Sequence, residues 1–435
     1  MRKIFISILT FILLANLAFS MTLEESIDIA QKNNPSAIAA QKKSDAAWAK
    51  FNQAMGAAFP SLKLEGTLGR SYSQPMTTQI STGAATQTFV FGTDAPSDAR
   101  SWTASATQPI LVPAIFPGIT IAQKGVDIAY EEMRRVAQEI EFNATQAYFG
   151  VLKAEKMKQF NEESKGMSSS HLKQIELMLR AGTSTRADYL RTEVSYQNSL
   201  LALTSAKNAL ELAKDNFNNI LGRSLEEKIE LDKGVTEESF NIMEYPEMLK
   251  IAFENRPDWM QYKLNQKISE DNIRLAQTGY MPSVVLSGQT GNRITDYPAY
   301  RSDVASWTVM GLASWTIFDG LGTFNRVREA RANLETQIAN EKQMKDKITL
   351  EVRDSYLSLK SALESISYAK KALESAQENH KVSVLRFNSG VGINIEVIDA
   401  QFSLTQAKIN YLQALFDVEI AKAKINKATG KKIFS

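Results

Sequence analysis

The chain has 435 residues, 44% of them hydrophobic and 23% charged, and 50 Lys and Arg against 48 Asp and Glu leave a formal net charge of +2. That balance excludes a polytopic helical membrane protein and a nucleic-acid binder. There is no cysteine, which removes disulfides, thiolate metal sites, a nucleophilic thiol and a lipid-bearing N-terminal Cys together.

Residues 1–20 read as a cleaved signal peptide: Arg2 and Lys3 precede the apolar run from Ile4 to Leu14, and Ala18-Phe19-Ser20 supplies the cleavage region. The run is shorter than the ~20 residues that span a bilayer as a helix. A helix is expected over 21–61. Residues 62–111 then read as a β-hairpin with a surface loop at 71–100. Leu62, Leu64, Gly66 and Leu68 are apolar or small while Lys63, Glu65 and Thr67 are polar, the period of a strand with one apolar face. Trp102, Ala104, Ala106 and Ile110 repeat the pattern against Ser101, Thr103, Ser105 and Thr107.

A long helical hairpin follows over 112–222, its first helix predicted from Ile119 to Arg180 and its turn at Arg180–Ser184. Such a helix is roughly 90–100 Å long at 1.5 Å per residue, so it must pack lengthwise on others. Tyr196, Leu203, Leu210 and Phe217, beside Ser199, Ala206 and Ala213, form a seam of alternating large and small residues. After a linker at 223–247 the same order returns: helix 248–282, β-hairpin 283–318 with a polar loop at Asn292–Asp303, helical hairpin 319–430 with its first helix from Leu321 to Asn388, and a tail at 431–435. Val352, Leu359, Ile366, Leu373 and His380 recur every seventh residue. Ala400, Ala407, Ala414, Ala421 and Ala428 do so in the last helix.

The chain is therefore an internal two-fold repeat. Pro35 and Pro257 stand at the same separation as Pro60 and Pro282, and Ser101-Trp102-Thr103 answers Ser306-Trp307-Thr308. Gly182 and Gly222 answer Gly390 and Gly430. Two readings fit the strands. One is a soluble antiparallel sheet on a coiled-coil hairpin, a non-conducting periplasmic or surface interaction protein. The other is part of a transmembrane barrel, favoured by the polar loops and by Tyr72, Trp102, Tyr297, Tyr300, Trp307 and Trp315 near strand ends or faces. Exposure of Val309 and Trp102 separates them. Four strands cannot close in lipid alone; two copies give a nearly filled barrel, and three give twelve strands and a passage.

No catalytic constellation is present: the two histidines, His171 and His380, are far apart in sequence, no Gly-rich phosphate loop follows a strand, and no cofactor or metal is expected. A histidine in a helix seam is more often a satisfied core group than a ligand.

The duplicated landmarks resemble the TolC-like outer membrane efflux proteins. The likeness lies in Asn33–Pro35 and Asn255–Pro257, Phe59–Leu62, Trp315–Gly320, the turns at Gly182 and Gly390, and the Leu-Gly endings at Gly222 and Gly430. It implies a mixed α and β fold, a homotrimer with a 12-stranded outer-membrane β-barrel continuous with a long periplasmic α-helical coiled-coil barrel. A belt at mid-tunnel would fall at Arg223–Glu247 and the C-terminal residues. The implied partners are a periplasmic adaptor (membrane fusion) protein, an inner-membrane pump or ATP-driven transporter, and outer-membrane lipid, with no nucleic acid.

The resemblance also assigns residues. Glu396 and Asp399, on one helix face, correspond to a carboxylate ring at the periplasmic entrance, and Asp188 to the acid after the first turn. Phe387 would lie beside the pore. Gly182, Thr183, Gly390, Val391 and Gly392 would form the adaptor-docking tips. Read without the resemblance, Thr185-Arg186-Ala187-Asp188 is a helix cap and the acids serve the helix dipole. Family members with a well-defined closed state carry an arginine where this chain has Gly392.

Overall fold

The computed structural model describes residues 20–81, 83, 85–91, 94–232, 243–298 and 300–434. The expected signal peptide, apart from Ser20, and the central part of the 223–247 linker lie outside them. The described elements are α1 (Leu23–Asn33), α2 (Pro35–Gly56), β1 (Ser61–Ser71), β2 (Met76–Ser81), β3 (Thr86–Phe91), β4 (Ser97–Leu111), α3 (Ile115–Arg180) and α4 (Arg186–Leu221). There follow α5 (Tyr245–Asn255), α6 (Pro257–Gln277), β5 (Ser283–Asp296), β6 (Arg301–Ser314), α7 (Gly322–Asn388) and α8 (Asn394–Thr429). They form two compact units. One comprises Asp45–Ile128 with Lys263–Ala339, the other the residues up to Ser44, Ala129–Tyr262 and those from Asn340 on.

The first unit carries a four-stranded antiparallel sheet of order β1-β4-β5-β6. Its register aligns the alternation of every strand: Gly66 opposes Trp102, Trp102 opposes Asn292, and Asn292 opposes Ala305. One face thus gathers Leu62, Leu64, Leu68, Trp102, Leu286, Trp307 and Val309, and the other Lys63, Glu65, Thr103, Ser105, Gln289 and Thr308. The apolar face is bare, with Leu68 84%, Trp307 78%, Val309 64% and Trp102 49% exposed. β1 and β6 end the sheet, each paired on one side only.

Two stretches expected as loops hold strand. Within 71–100, β2 and β3 pair as a hairpin of their own, with Phe89 and Phe91 stacked at 6.4 Å, and β4 starts at Ser97. The β-branched and aromatic run Thr86–Phe91 outweighs the Ser and Gly around it. Within 292–303, β5 reaches Asp296 and β6 begins at Arg301; Tyr297 N–H donates to the Tyr300 carbonyl at 2.9 Å and the two rings stack at 4.6 Å. Arg70–Asp98 (2.6 Å), Arg100–Asp296 and Arg301–Asp296 (3.7 Å) are ion pairs at this turn end of the apolar face.

In the second unit the expected helix over 21–61 is broken. Asn34 (φ −63, ψ 128) separates α1 from α2, and Arg256 (φ −65, ψ 125) separates α5 from α6. Both precede proline, whose ring drives the preceding residue out of helical geometry. Each break is used twice over. Asn34 Nδ2 donates to the Ile220 carbonyl at 2.8 Å, and Arg256 Nη1 donates to the Ala428 carbonyl at 3.1 Å, near the ends of α4 and α8. Those ends are left-handed glycines, Gly222 and Gly430, both at φ 69. A Cβ on Gly430 would lie 2.8 Å from the Arg256 backbone.

Two cores flank these joints. Ile140, Phe149, Leu152, Phe217, Leu221, Leu412 and Phe416 fill one. Met248, Trp259, Ile348, Val352, Leu359, Val418 and Ile425 fill the other. The heptad seams are the buried stripes: Leu203, Leu210 and Phe217 in α4, and Ala400, Ala407, Ala414, Ala421 and Ala428 in α8. Burial of the α7 stripe is complete at Val352 and Leu359 and only partial at Leu373 and His380.

Candidate functional site

The sequence-assigned residues cluster at two helix turns of the second unit. After α3 the chain reverses through Gly182 at φ 76, where Thr183 N–H donates to the Met178 carbonyl at 2.8 Å. After α7 it reverses through Gly390, also at φ 76, where the Val391 and Gly392 amides both donate to the Arg386 carbonyl at 3.0 Å. A left-handed residue accepting no Cβ is what such helix ends require. Gly182, Thr183, Gly390 and Val391 are exposed.

Gly392 answers to a different constraint. A Cβ there would stand 2.9 Å from the Phe387 amide nitrogen and 3.0 Å from the Arg386 carbonyl carbon, so an arginine at this position would force the backbone apart. A cation is supplied from the other side of the turn instead: Arg386 Nε lies 3.9 Å from Glu396 Oε2. Both groups are well exposed, and such a pair is worth at most about 1 kcal/mol. Asp399 is exposed and faces a groove of about 750 Å³ that Leu190, Val194, Ile395 and Phe402 also line.

Asp188 is engaged in the cap that its sequence context suggests. Its amide donates to Thr185 Oγ1 at 3.1 Å, and the Thr185 hydroxyl donates to its carboxylate at 2.6 Å. This departs from the reciprocal box, since the acid grips the hydroxyl rather than the backbone N–H of Thr185. Phe387 sets its edge on the His171 ring at 5.3 Å.

Asn394 and Thr192, which sequence reasoning passed over, join the two turns through His171. His171, 8% exposed, has Nε2 2.7 Å from Asn394 Oδ1. Asn394 Nδ2 donates to Thr192 Oγ1 at 3.0 Å and to the Asp188 carbonyl at 3.2 Å, and the Thr192 hydroxyl donates to that same carbonyl at 2.8 Å. With His171 neutral and protonated on Nε2, each of these bonds joins a donor to an acceptor. Burial pushes the His171 pKa down; the Asn394 bond opposes this and nearby His380 adds to it. His171 is thus a bonded core group. The available signal was Asn394 and Gln401, polar residues one heptad apart beside the alanine stripe of α8.

The comparisons follow the same lines. The outer membrane efflux protein family model matches residues 26–223 and 248–431. The outer membrane protein TolC of Escherichia coli (strain K12) is 24% identical over 416 residues, covering 92% of this chain and 80% of TolC. The alkaline protease secretion protein AprF of Pseudomonas aeruginosa is 22% identical over 95% of this chain and 85% of its own. The CmeC outer membrane channel of Campylobacter jejuni superposes with a TM-score of 0.77 at 15% identity, covering 95% and 87% of the two chains. Paired long helices and an open sheet with a bare apolar face belong to an outer-membrane channel protein of the efflux and secretion class. The chain belongs to the outer membrane efflux protein family, a family of channels rather than enzymes.

Proposed function

We propose that three copies of this chain close a twelve-stranded barrel in the outer membrane, continuous with a twelve-helix periplasmic tunnel, and that the assembly is a passive exit duct. The observation that carries this is the sheet: four strands, two free edges and one bare apolar face. Strands of 11 to 15 residues meet or exceed the 9–11 that a tilted strand needs to cross a bilayer, and an unpaired edge is not tolerated there. Exposure of Val309 and Trp102 weighs against a soluble sheet packed on protein.

In this reading Glu396 and Asp399 ring the periplasmic entrance with Asp188 and Phe387 beside them. Six acids around one axis favour cations and restrict passage. The tips Gly182, Thr183, Gly390, Val391 and Gly392 dock a periplasmic adaptor protein, behind which an inner-membrane pump or ATP-driven transporter supplies the energy. Arg223–Glu247 and 431–435 form the belt between the hairpins, and residues 62–111 and 283–318 the barrel. The test is the purified protein in detergent: trimers by mass, and ion conductance in planar bilayers. A monomer soluble without detergent overturns the duct.

A further inference from the structure

The strands of the sheet carry four arginines, Arg70, Arg100, Arg293 and Arg301. Three lie on the apolar face near its turn end, and each has a carboxylate: Asp98 for Arg70, and Asp296 for both Arg100 and Arg301. Arg293 differs on both counts. It stands opposite Ser101 on β4 and Val304 on β6, in the alternation that holds Thr103, Gln289 and Thr308, so it belongs to the polar face. It is exposed, and among the described residues its guanidinium meets no carboxylate.

The rest of that face leaves the charge unanswered. Its other charged residues, Lys63 and Glu65, hold each other at 2.6 Å. Glu65 opposes Thr103, which opposes Gly291, so two strand spacings, about 10 Å, separate it from the strand of Arg293. One lysine and one arginine against one glutamate give the face a net positive charge. The unpaired part of it sits toward the β5–β6 turn, since β5 leaves α6 at Ser283 and ends at Asp296. An exposed arginine without a carboxylate adds little to folding. What it supplies is a free planar fork of N–H donors, the group that suits phosphate.

We propose that three Arg293 side chains form an anion-binding ring in the barrel mouth farthest from the helices, and that its ligands are multivalent anions such as polyphosphates. This rests on the duct reading, which turns the polar face inward and sets three copies around one axis. Twelve strands about 4.8 Å apart and tilted by about 40° close at a radius of about 12 Å. A guanidinium reaching inward from that wall stands within about one Debye length of the axis at about 0.1 M salt, but not at about 1 M. At low salt the ring therefore acts on an ion anywhere in the cross-section, as rings of basic side chains do in anion pores. Its sign is opposite to that of the acids assigned to the other end. A polyphosphate would meet three forks at once, and none has to leave a carboxylate first.

The probe is inositol hexakisphosphate, a compact polyanion, added to single channels in planar bilayers at about 0.1 M and about 1 M KCl. Wild-type current should be blocked at the lower salt and recover at the higher. Arg293→Gln should raise the probe concentration needed for block by at least about a hundredfold, each hydrogen bond to a charged group being worth roughly tenfold. Arg293→Lys should keep part of the block. Arg301→Gln, at the same end of the sheet but on its other face, should leave block as in wild type. Calorimetric titration in detergent with the same probe is the second measurement, expected to saturate at one probe per trimer and to be lost in Arg293→Gln. Block or binding unchanged in Arg293→Gln, or block abolished equally by Arg301→Gln, overturns the proposal. Channels that conduct but neither bind the probe nor are blocked by it overturn the ring and leave the duct standing. Stoichiometric binding that Arg293→Gln removes, in a protein that does not conduct, upholds the ring and overturns the duct.

Discussion

Replacing Arg256 by alanine tests whether the joint between α5, α6 and α8 is held by charge. The guanidinium side chain is 8% exposed and bonds Asp258 through two nitrogens at 2.9 and 2.7 Å, Glu351 at 2.6 Å and the Ala428 carbonyl at 3.1 Å. Removing one partner of a buried pair costs about 3–5 kcal/mol, and the orphaned Ala428 carbonyl adds about 1–3. Glu351, with its side chain 42% exposed, re-solvates and adds little. Water entering the space left by the side chain offsets part of this, so a loss of about 4 kcal/mol is expected at neutral pH. Burial alone would push the Asp258 carboxyl up; the Arg256 hydrogen bond and charge outweigh it and hold the carboxyl below its ordinary 3.8. Wild-type stability from this group is therefore present above that value and lost as the pH falls through the depressed one. In Arg256→Ala only burial remains and the shift reverses, so the deficit should shrink below about pH 4. Trp259, next to the pair and 5% exposed, reports the joint by fluorescence during urea unfolding in detergent. A deficit under about 1 kcal/mol, or one equal at pH 7 and pH 4, refutes the account.

Four further outcomes are expected. Glu396→Gln with Asp399→Asn should raise conductance or relieve block by divalent cations; unchanged currents sink the ring and leave the duct standing. Gly430→Ala should destabilise by more than Gly182→Ala, because both incur the left-handed penalty of about 1–2 kcal/mol but only Gly430 also meets the Arg256 backbone; melting the two variants side by side decides it. Val309→Arg should reduce folded trimer by the equivalent of about 2–4 kcal/mol, and Thr308→Arg on the opposite face by far less; equal yields contradict the assignment of faces. His171, faced by Asn394, His380 and Phe387 with Lys408 beyond, titrates below its ordinary 6.5. As the pH falls through that value the unfolded chain takes the proton first, so stability is lost on acidification. His171→Phe should lessen this acid sensitivity, and melting curves at pH 7 and 5.5 measure it.

What could be seen in the sequence was whatever repeats. Alternation in Leu62–Leu68 and Trp102–Ala106 marked the faces of the sheet because the period-2 signal is the same on each strand that shares it. Heptads such as Ala400 to Ala428 marked the helix seams, and Gly182 and Gly390 the turns. The β2–β3 hairpin was hidden because its strands, Met76–Ser81 and Thr86–Phe91, are short and do not alternate. The break at Asn34 was hidden because proline also sits at helix starts. The Asn394 network left almost no trace: Thr192, Ser168 and His171 acquire meaning only when α3, α4 and α8 lie together, and a polar residue in a seam interrupts the signal that finds seams. Gly392 looked like a missing arginine until the backbone around Phe387 accounted for it.

The strand order has a consequence for biogenesis. β4 ends at Leu111 and its neighbour β5 begins at Ser283, so the central ladder joins segments made far apart in time. Until the second half of the chain emerges, β1 and β4 are a two-stranded ribbon, marginal in water and open on both edges. Closing so long a loop is slow, and the waiting edge invites wrong pairing. Sheet completion is thereby coupled to completion of the polypeptide. A chain truncated after α4 would keep its helical hairpin yet expose the β4 edge permanently, and would be a substrate for periplasmic chaperones and proteases rather than for membrane insertion.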